Sequence, residues 1–454
     1  MSDEISFLSV AEVGRHFAAG TLTPSELTAT HLERLARFEP HLNAFQIVDG
    51  EGATAAARAS DARWRAGTPH GPLDGVTVTI KDNVDVAGFP TRHGSRTSDP
   101  KPVAADSPVV ARLREAGAVI LGKTRLPEFG WKALTDSPLQ GPPTRNPWNR
   151  DVSPGGSSGG AAAAVAAGIG TIAFGNDGGG SIRIPAAHSG VFGLKPTFGR
   201  VPHHLQEGLF STVVAGGPMT RSVACAITTL KVMARPDDRD WYALPQPDPA
   251  WLDGLTARLA GLRIAYAPVL GGIGADSEVR GVVDPVIDML RAHGADIIEV
   301  GSITSELRPR FEAYWYAAFA RRLRLIGEER WGELDPTFLD VAKRGLSLSV
   351  DQILDGEAAR AALGREFQAF HRDYDLLLTP ATPHVAPAVE TIYHCQAYDR
   401  WRDSVAFSLP FNLTGQPAAS VPCGLSSRSL PVGLQVVGPK YSERLILEAC
   451  LAIE

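Results

Sequence analysis

The order of apolar and polar positions along the chain predicts strands that alternate with helices. Residues 75–80 alternate apolar and polar side chains, which is typical of a strand, and the apolar run at 119–121 predicts a second one. Between them, Asp106 or Ser107 is placed to cap a helix that runs to about residue 116. This strand–helix–strand order favours an α/β sheet covered by helices.

The N-terminal region, residues 10–70, is predicted to be helical. Ser9 with Glu12, and Thr23 with Glu26, fit the capping-box pattern, in which a hydroxyl and a carboxylate three residues later satisfy each other's backbone amides. Two helices are therefore expected to begin at these positions.

The stretch 153–183 carries two glycine-rich turns, each with serine, joined by an alanine-rich segment that is almost free of charge. Its pattern predicts a helix at about 159–168, a short buried strand at 169–174 and a short helix after Ser181. Glycine lets a backbone approach a ligand closely, so two serines set among glycines suggest a site for hydroxyl chemistry.

The second half of the chain repeats the alternation of strands and helices. A segment rich in proline and aspartate at 236–249 is the best linker candidate. Beyond it the pattern predicts strands at 262–267, 295–300 and 376–378, helices at 278–293 and over most of 305–370, and two more strands near the C-terminus.

Composition narrows the function classes. The 454 residues are 44% hydrophobic and 21% charged, with a formal net charge of −6, which gives no reason to expect a nucleic-acid or membrane surface. The acidic start and the absence of a long apolar run argue against a secretory signal or a bilayer span. The four cysteines lie far apart without a C-x-x-C pair, so free thiols in the cytoplasm are expected, with no metal site.

Three familiar motifs fail in the serine-rich stretch. The dinucleotide fingerprint lacks its third glycine after Gly168 and Gly170, and no phosphate-binding G-x-x-x-x-G-K-[ST] occurs. Residues 155–159 match the G-x-S-x-G nucleophile elbow, but that motif follows a hydrophobic strand, and here a polar loop with two prolines precedes it. The chain is therefore not expected to be an α/β-hydrolase.

A serine nucleophile still needs a base to take its proton. His188 is one candidate, although no acid is evident to orient its ring. A neutral lysine is the other, and Lys81, Lys123 and Lys195 each follow an apolar run. Spacing and composition do not choose among them, and the simplest interpretation of all three is a solvent-facing strand end.

The serine-rich motif closely resembles that of the amidase signature family. The family reads GGSSGG, an alanine-rich segment and then G-x-D-x-GGSIR-x-PA, and this chain has the matching residues at 155–160 and 175–186. Further matches lie at 75–83, 193–197, 217–218, 221–223 and 431–435. The similarity runs from about residue 10 to the end and is weakest at about 237–370.

The resemblance implies a mechanism and a fold. In the family, a Ser–cis-Ser–Lys triad hydrolyses a carboxylic amide to the acid and ammonia or an amine, with no metal or cofactor. Carried over, Ser181 forms the acyl-enzyme, Ser157 is the bridging serine, with a cis peptide after Gly156, and Lys81 is the base. The implied fold is an α/β/α sandwich with a large mixed β-sheet covered by helices on both faces.

The resemblance also assigns the residues around the triad. The backbone amides of Gly178, Gly179, Gly180 and Ser181 are expected to form the oxyanion hole. One departure is visible, because the family often has threonine where this chain has Gly178. Supporting roles within the turns are expected for three further motif residues, Ser158, Asp177 and Arg183.

The expected organisation is a single amidase domain over 1–454. It comprises the N-terminal helical region at 10–70, the signature core at 71–235 and a variable, mostly helical region at 237–370 that contributes to the substrate pocket together with the Trp131 loop and residues 379–387. Expected partners are a small-molecule amide and a second copy in a homodimer, with no nucleic acid or membrane. Two alternatives stay open: the glutamine-hydrolysing subunit of an amidotransferase, and a catalytically silent binding protein.

Overall fold

In the part of the chain that the structure describes, eleven strands from almost its whole length form one mixed sheet. The structure is a computed structural model that describes residues 2–203, 209–304, 308–389 and 404–454. Its strands are β1 Phe45–Val48, β2 Thr77–Lys81, β3 Val119–Thr124, β4 Ile172–Asp177, β5 Phe192–Lys195, β6 Ala215–Thr220, β7 Arg263–Tyr266, β8 Val269–Leu270, β9 Ile273–Gly274, β10 Asp296–Glu299, β11 Leu376–Pro380, β12 Ala418–Leu425 and β13 Pro431–Val437.

The α-helices of the described residues lie between these strands and at the two ends. They are α1 Ser2–Ile5, α2 Val10–Ala19, α3 Pro24–Leu42, α4 Gly50–Arg65, α5 Pro108–Glu115, α6 Gly159–Ala166, α7 Arg183–Ser189, α8 Val223–Met233, α9 Ser277–Ala292, α10 Arg308–Ile326, α11 Pro336–Leu346, α12 Val350–Asp373, α13 Leu409–Leu413 and α14 Glu443–Ile453. Short 3₁₀ turns occur at Glu128–Gly130, Leu209–Val213 and Glu328–Glu333. No helix in these ranges combines the length and apolar character needed to cross a bilayer.

The strand order is β1-β3-β2-β4-β6-β5-β12-β13-β11-β7-β10, and β8 and β9 form a separate small ribbon. β2 pairs in parallel with both β3 and β4, and β7 pairs in parallel with β10 and β11. The central pairings from β4 through β6, β5, β12 and β13 to β11 are antiparallel. The sheet is therefore mixed, as the family resemblance implies.

Helices cover both faces of this sheet. In β7, Ile264 and Tyr266 pack into the core beneath α2, α5, α8, α9 and α14, whereas the intervening Ala265 packs on the opposite side with α10–α13. In β3, Ile120 joins the first core, and its neighbours Val119 and Leu121 face α4 and α6. Because strand side chains alternate between faces, this pattern confirms the predicted α/β/α sandwich.

Elements with strong periodicity or capping signals match their predictions closely. Both capping boxes are present, at Ser9 and Thr23. β7, α9 and β10 begin and end within one residue of the predicted bounds. The segment after α8 contains no helix or strand up to β7, but its Asp237 pairs with Arg112 of α5 at 3.0 Å, so it lies against the core.

Elements with weak apolar patterns are displaced or were not predicted. The strand expected at 169–174 lies at Ile172–Asp177, because its last two residues are polar and turn toward the site described below. The glycine- and proline-containing β6 was not predicted, although all six of its residues are buried between β4 and β5. Long-range strand pairing stabilises such segments despite their low intrinsic preference.

Candidate active site

The carboxyl ends of two neighbouring parallel strands bring the candidate groups together. Lys81 is the last residue of β2, and β4 ends with Asn176 and Asp177. The strands run side by side, with Ile80 opposite Phe174. Since parallel strands end at the same edge of a sheet, polar residues 95 positions apart in sequence meet at one place, as the hydrogen bond from Lys81 to Asn176 shows.

Lys81 is fully buried and directly contacts the first serine turn. Its Nζ lies 2.8 Å from Ser157 Oγ, 2.9 Å from Asn176 Oδ1 and 3.3 Å from the Asn176 carbonyl oxygen. A neutral amine has two N–H donors and one lone pair. The two Asn176 oxygens can accept both N–H groups, which leaves the lone pair for the Ser157 hydroxyl proton.

The buried setting makes the neutral form of this lysine accessible. Burial lowers the pKa of Lys81 to about 7, and the negative charge of Asp177 acts in the opposite direction. An unperturbed lysine, with a pKa of about 10.4, would be deprotonated in only roughly one molecule in 2,500 at pH 7. With a pKa of about 7, about half of the molecules carry an unprotonated Lys81 at that pH.

The two serine turns are joined through their backbones. The peptide between Gly156 and Ser157 is cis, as the family resemblance implies. Ser158 N donates to Ser181 O at 3.1 Å, and Ser158 Oγ donates to the carbonyl oxygen of Asn176 at 3.2 Å. Ser181 is partly accessible, whereas the residues on either side of it are buried. No hydrogen bond joins the Ser157 and Ser181 hydroxyls among the described residues.

Three backbone amides of the glycine turn are available to a ligand. Among the described residues, the N–H groups of Gly178, Gly179 and Ser181 have no hydrogen-bond acceptor. The Gly180 N–H, in contrast, donates to Asp177 Oδ1 at 2.7 Å. The predicted use of Gly180 in an oxyanion hole therefore does not agree with the structure, because a carboxylate already occupies that amide.

A buried clamp holds this turn in place. Arg183 donates to both carboxylate oxygens of Asp177, from Nε at 3.0 Å and from a terminal nitrogen at 2.9 Å. Its terminal nitrogens also donate to Ser408 O and Gln435 Oε1, each at 2.8 Å, and to Asn412 Oδ1 at 2.6 Å. Burial raises the pKa of Asp177, but Arg183 and the nearby hydrogen bonds more than offset this, so the carboxyl stays ionised.

Three of these polar partners were not predicted from the sequence. Asn176 orients Lys81, while Asn412 and Gln435 complete the Arg183 clamp. Gln435 lies between Leu434 and Val436 in an apolar, fully buried strand, and such a polar residue in an apolar run needs a buried partner. That signal could have marked Gln435 as part of a site, although not its partner.

The other candidate bases lie elsewhere. His188 contacts the carbonyl oxygen of His384 at 3.3 Å and stacks on that ring. Lys123 pairs with Asp82 at 2.9 Å, and Lys195 donates to the carbonyl oxygen of Pro196 at 3.1 Å. The interpretation of the three lysines as solvent-facing strand ends is wrong, since all three are buried.

Aromatic rings border the site on two sides. A Cβ at Gly178 would lie 2.9 Å from the ring of Phe210, and a Cβ at Gly130 would lie 3.2 Å from Ser157 Oγ. A series of rings in contact connects these two sides, with centroid distances of 4.9–5.2 Å. We call this series the aromatic arc: Phe210, Trp315, Phe319, Phe338 and Phe129.

No metal site accompanies these groups in the described ranges, since no cluster of three or more His, Cys, Asp or Glu residues is arranged to hold an ion. The ionisable groups of the site, Lys81, Asp177 and Arg183, instead have partners among neighbouring side chains and backbone groups. The arrangement contains a buried base, two hydroxyls and free amide donors, which are the parts needed for acyl transfer.

Comparisons with known proteins agree with this chemistry. The family model described as Amidase matches residues 26–447. The chain is 33% identical to an acylamidase of Rhodococcus erythropolis, over 99% of this chain and 95% of that protein. It is 37% identical to a glutamyl-tRNA(Gln) amidotransferase subunit of Halorhodospira halophila, over 97% and 95%. A bacterial aryl acylamidase of the amidase signature family superposes with a TM-score of 0.88 at 26% identity, covering 99% and 96% of the two chains. The chain therefore belongs to the amidase signature family and is a hydrolase of amide C–N bonds.

Proposed function

We propose that Ser181 is the nucleophile of this amidase, with Ser157 as proton relay and Lys81 as base. The observation that carries the proposal is the 2.8 Å contact between Lys81 Nζ and Ser157 Oγ, made by a lysine that is fully buried. Ser181 is the more accessible of the two serines, as a residue that bonds to substrate must be. The backbone link between Ser158 and Ser181 keeps the two turns adjacent.

The proposed reaction proceeds by acyl transfer. Neutral Lys81 takes the Ser157 proton while Ser157 takes the proton of Ser181, whose oxygen attacks the amide carbonyl. The amides of Gly178, Gly179 and Ser181 stabilise the oxyanion, and each such donor contributes about 3 kcal/mol in other enzymes. The proton then returns through Ser157 to the leaving nitrogen, the C–N bond breaks, and water hydrolyses the ester by the same relay.

The surroundings favour substrates with an apolar aryl or alkyl body. The aromatic arc borders the site from Phe210 to Phe129, and Phe311 lies 3.7 Å from where a Cβ of Gly179 would be. Phe311 and most of the arc belong to the region 237–370, which we propose to be the pocket-forming part of a single amidase domain. Trp131, expected near the pocket, is a core residue, as is Phe411, since both are almost completely buried.

A labelling experiment tests the triad. A fluorophosphonate should modify Ser181 of the wild-type protein, and the Ser181→Ala variant should neither be labelled nor hydrolyse butyryl-4-nitroanilide. Lys81→Met should lose both reactions. Lys195→Met is the matched control, because Lys195 is also fully buried and burial lowers its pKa to about 7 as well, but it does not touch either serine. Equal loss of labelling in both lysine variants would contradict the assigned role of Lys81.

A second candidate function is supported by the 37% identity to an amidotransferase subunit. Such a protein would release ammonia from glutamine with the same triad and pass it to a partner. Glutaminase activity that appears only with a copurified partner would favour this function, whereas hydrolysis of aryl amides by the isolated chain would favour the amidase. A catalytically silent binding protein would show neither activity nor labelling.

Two further expectations belong to this proposal. The family resemblance favours a homodimer, which sedimentation velocity of the purified chain would test. The free, widely spaced cysteines favour the cytoplasm, since Cys225 and Cys450 are buried thiols without a disulfide.

A further inference from the structure

Arg322 of α10 is a half-buried cation that forms no ion pair or hydrogen bond among the described residues. Its guanidinium carbon lies 4.9 Å from the centre of the Phe129 ring, over which it is stacked. The fully buried Arg183, in contrast, has four polar partners. Since burying part of a guanidinium without an acceptor is unfavourable, this half-buried group requires an explanation.

The position of Arg322 places it at the edge of the candidate active site. The Phe129 ring beneath it belongs to the residue next to Gly130, which lies against Ser157. Phe129 N donates to the carbonyl oxygen of His93 at 2.7 Å, and His93 N donates to that of Asp82 at 3.0 Å. The surface under Arg322 is therefore formed by two loops: the one with His93, which follows the carboxyl end of β2, and the one with Phe129, which lies next to the first serine turn.

His93 is a second group at this edge without a polar partner. Its ring lies 6.2 Å from that of Phe129, and its side-chain nitrogens form no hydrogen bond within the described part of the chain. Burial, together with the charges of Arg322 and Lys123, lowers the pKa of His93 to about 3, so the ring is neutral near pH 7 and has one N–H to donate. His93, Phe129 and Gly130 are all partly accessible, and the residues on either side of Phe129 and Gly130 are buried.

Arg322 contributes a positive charge to this edge. Burial lowers the pKa of Arg322 to about 10, and the neighbouring Arg321 acts in the same direction. Lys123, whose charge also acts on His93, is neutralised by Asp82, but no carboxylate pairs with Arg322 among the residues described. A guanidinium is planar, holds its donors in a fork that matches a carboxylate, and stays charged at this pKa.

We propose that Arg322 and His93 form a subsite for a carboxylate carried by the amide substrate. This inference rests on the proposed function, because it extends the same site away from Ser157 and Ser181. The substrate would have an apolar body along the aromatic arc and a carboxylate at the end, hydrogen-bonded by Arg322 and by the neutral His93 ring. Stacking on Phe129 keeps the guanidinium in place before substrate arrives.

The test uses two pairs of amides that differ in one carboxylate. Succinyl-4-nitroanilide and butyryl-4-nitroanilide place it on the acyl side; N-butyryl-4-aminobenzoate and N-butyryl-4-toluidine place it on the amine side. In the wild-type chain, kcat/KM should favour the carboxylate member of one pair by about 10- to 100-fold, the range for a hydrogen bond to a charged group. Arg322→Met should abolish most of that preference, mainly through KM, and Arg322→Lys should retain part of it.

Arg321→Met is the matched control, since it removes an exposed charge from the adjacent position of the same helix. It should leave the ratio within each pair unchanged, and any general loss of activity cancels in that ratio. Dissociation constants measured in the Ser181→Ala background give the same ratio without turnover. The subsite is refuted if neither pair shows a preference, or if Arg322→Met leaves the preference intact. Failure of the proposed function would instead show as the absence of hydrolysis of the uncharged amides.

Discussion

The role of Lys81 can be tested by moving its pKa without removing it. Asn176 Oδ1 lies 2.9 Å from Lys81 Nζ, and the Asn176 side chain also exchanges two hydrogen bonds with Asn83. Replacing Asn176 by aspartate keeps the side-chain shape and the oxygen that accepts from Lys81 and Asn83, but it exchanges the amide that donates to Asn83 Oδ1 for a second oxygen. The change places a negative charge in direct contact with the proposed base.

The expected magnitude follows from the contact distance. At 2.9 Å, with an effective dielectric constant of about 20, a new ion pair is worth about 6 kcal/mol before the cost of burying the carboxylate is subtracted. In proteins, a carboxylate next to a lysine raises the pKa of that lysine. The pKa of Lys81 is therefore expected to rise from about 7 to about 8–10. The unprotonated fraction at pH 7 then falls by about 5- to 500-fold.

The assay is the pH dependence of kcat/KM for butyryl-4-nitroanilide. The wild-type rate should fall as the pH drops below about 7, because Lys81 becomes protonated. In Asn176→Asp this fall in rate, the acid limb of the pH profile, should occur at a higher pH, and activity should recover at alkaline pH. Asn83→Asp is the control: its charge would lie one side chain further from Lys81, so the limb should move in the same direction but less. An acid limb that stays in place in a folded Asn176→Asp protein would refute the assignment of Lys81 as the titrating base.

Two further predictions concern the glycine turn. Arg183→Met leaves the buried Asp177 carboxylate unpaired and should lower the free energy of unfolding by about 3–5 kcal/mol in urea titrations at pH 7. The loss should be smaller at pH 4, because in the variant burial without Arg183 raises the pKa of Asp177, and the cost of the unpaired carboxylate disappears once the carboxyl is protonated. In the wild type the lowered pKa of Asp177 gives stability that is complete above the unfolded value of about 3.9 and is lost only as the pH falls from there toward the folded pKa, so it is still largely present at pH 4. An equal loss of unfolding free energy at both pH values would contradict the conclusion that Arg183 stabilises the fold by neutralising Asp177. Gly178→Thr should cost about 1–3 kcal/mol, because its Cβ would lie 2.9 Å from the Phe210 ring, and adding Phe210→Ala should restore part of the loss. A single variant as stable as the wild type would show that the ring moves freely.

Sequence patterns predicted the parts of this fold whose signals are local. Capping boxes at Ser9 and Thr23 and the amphipathic α9 depend on neighbouring residues, and they were found where expected. β6 depends instead on partners more than 25 residues away, such as its pairing of Met219 with Ala173 in β4 and with Gly193 in β5. A segment of glycine, proline and methionine has no strand pattern of its own, so only the assembled sheet explains it.

The residues of the candidate active site also divide into those that the sequence indicates and those that only the structure shows. The glycine-rich turns are visible in the sequence itself, and the family resemblance assigned Ser157, Ser181 and Lys81 to roles that the contacts of Lys81 support. The partners of Arg183 were not predictable, because Ser408 and Gln435 come from segments more than 220 residues further along the chain. Residues that meet in this way have no fixed spacing in the sequence from which their contact could be predicted.

The three strand-end lysines show why burial alone does not identify a base. Lys81 and Lys195 are both fully buried, and in both burial lowers the pKa to about 7. Lys123 is buried as well, but its contact with Asp82 keeps it in an ion pair. What distinguishes Lys81 is its set of partners: two Asn176 oxygens that can accept N–H groups, and one hydroxyl that can give up a proton. A perturbed pKa makes a neutral lysine available, and the arrangement of acceptors decides where its lone pair acts.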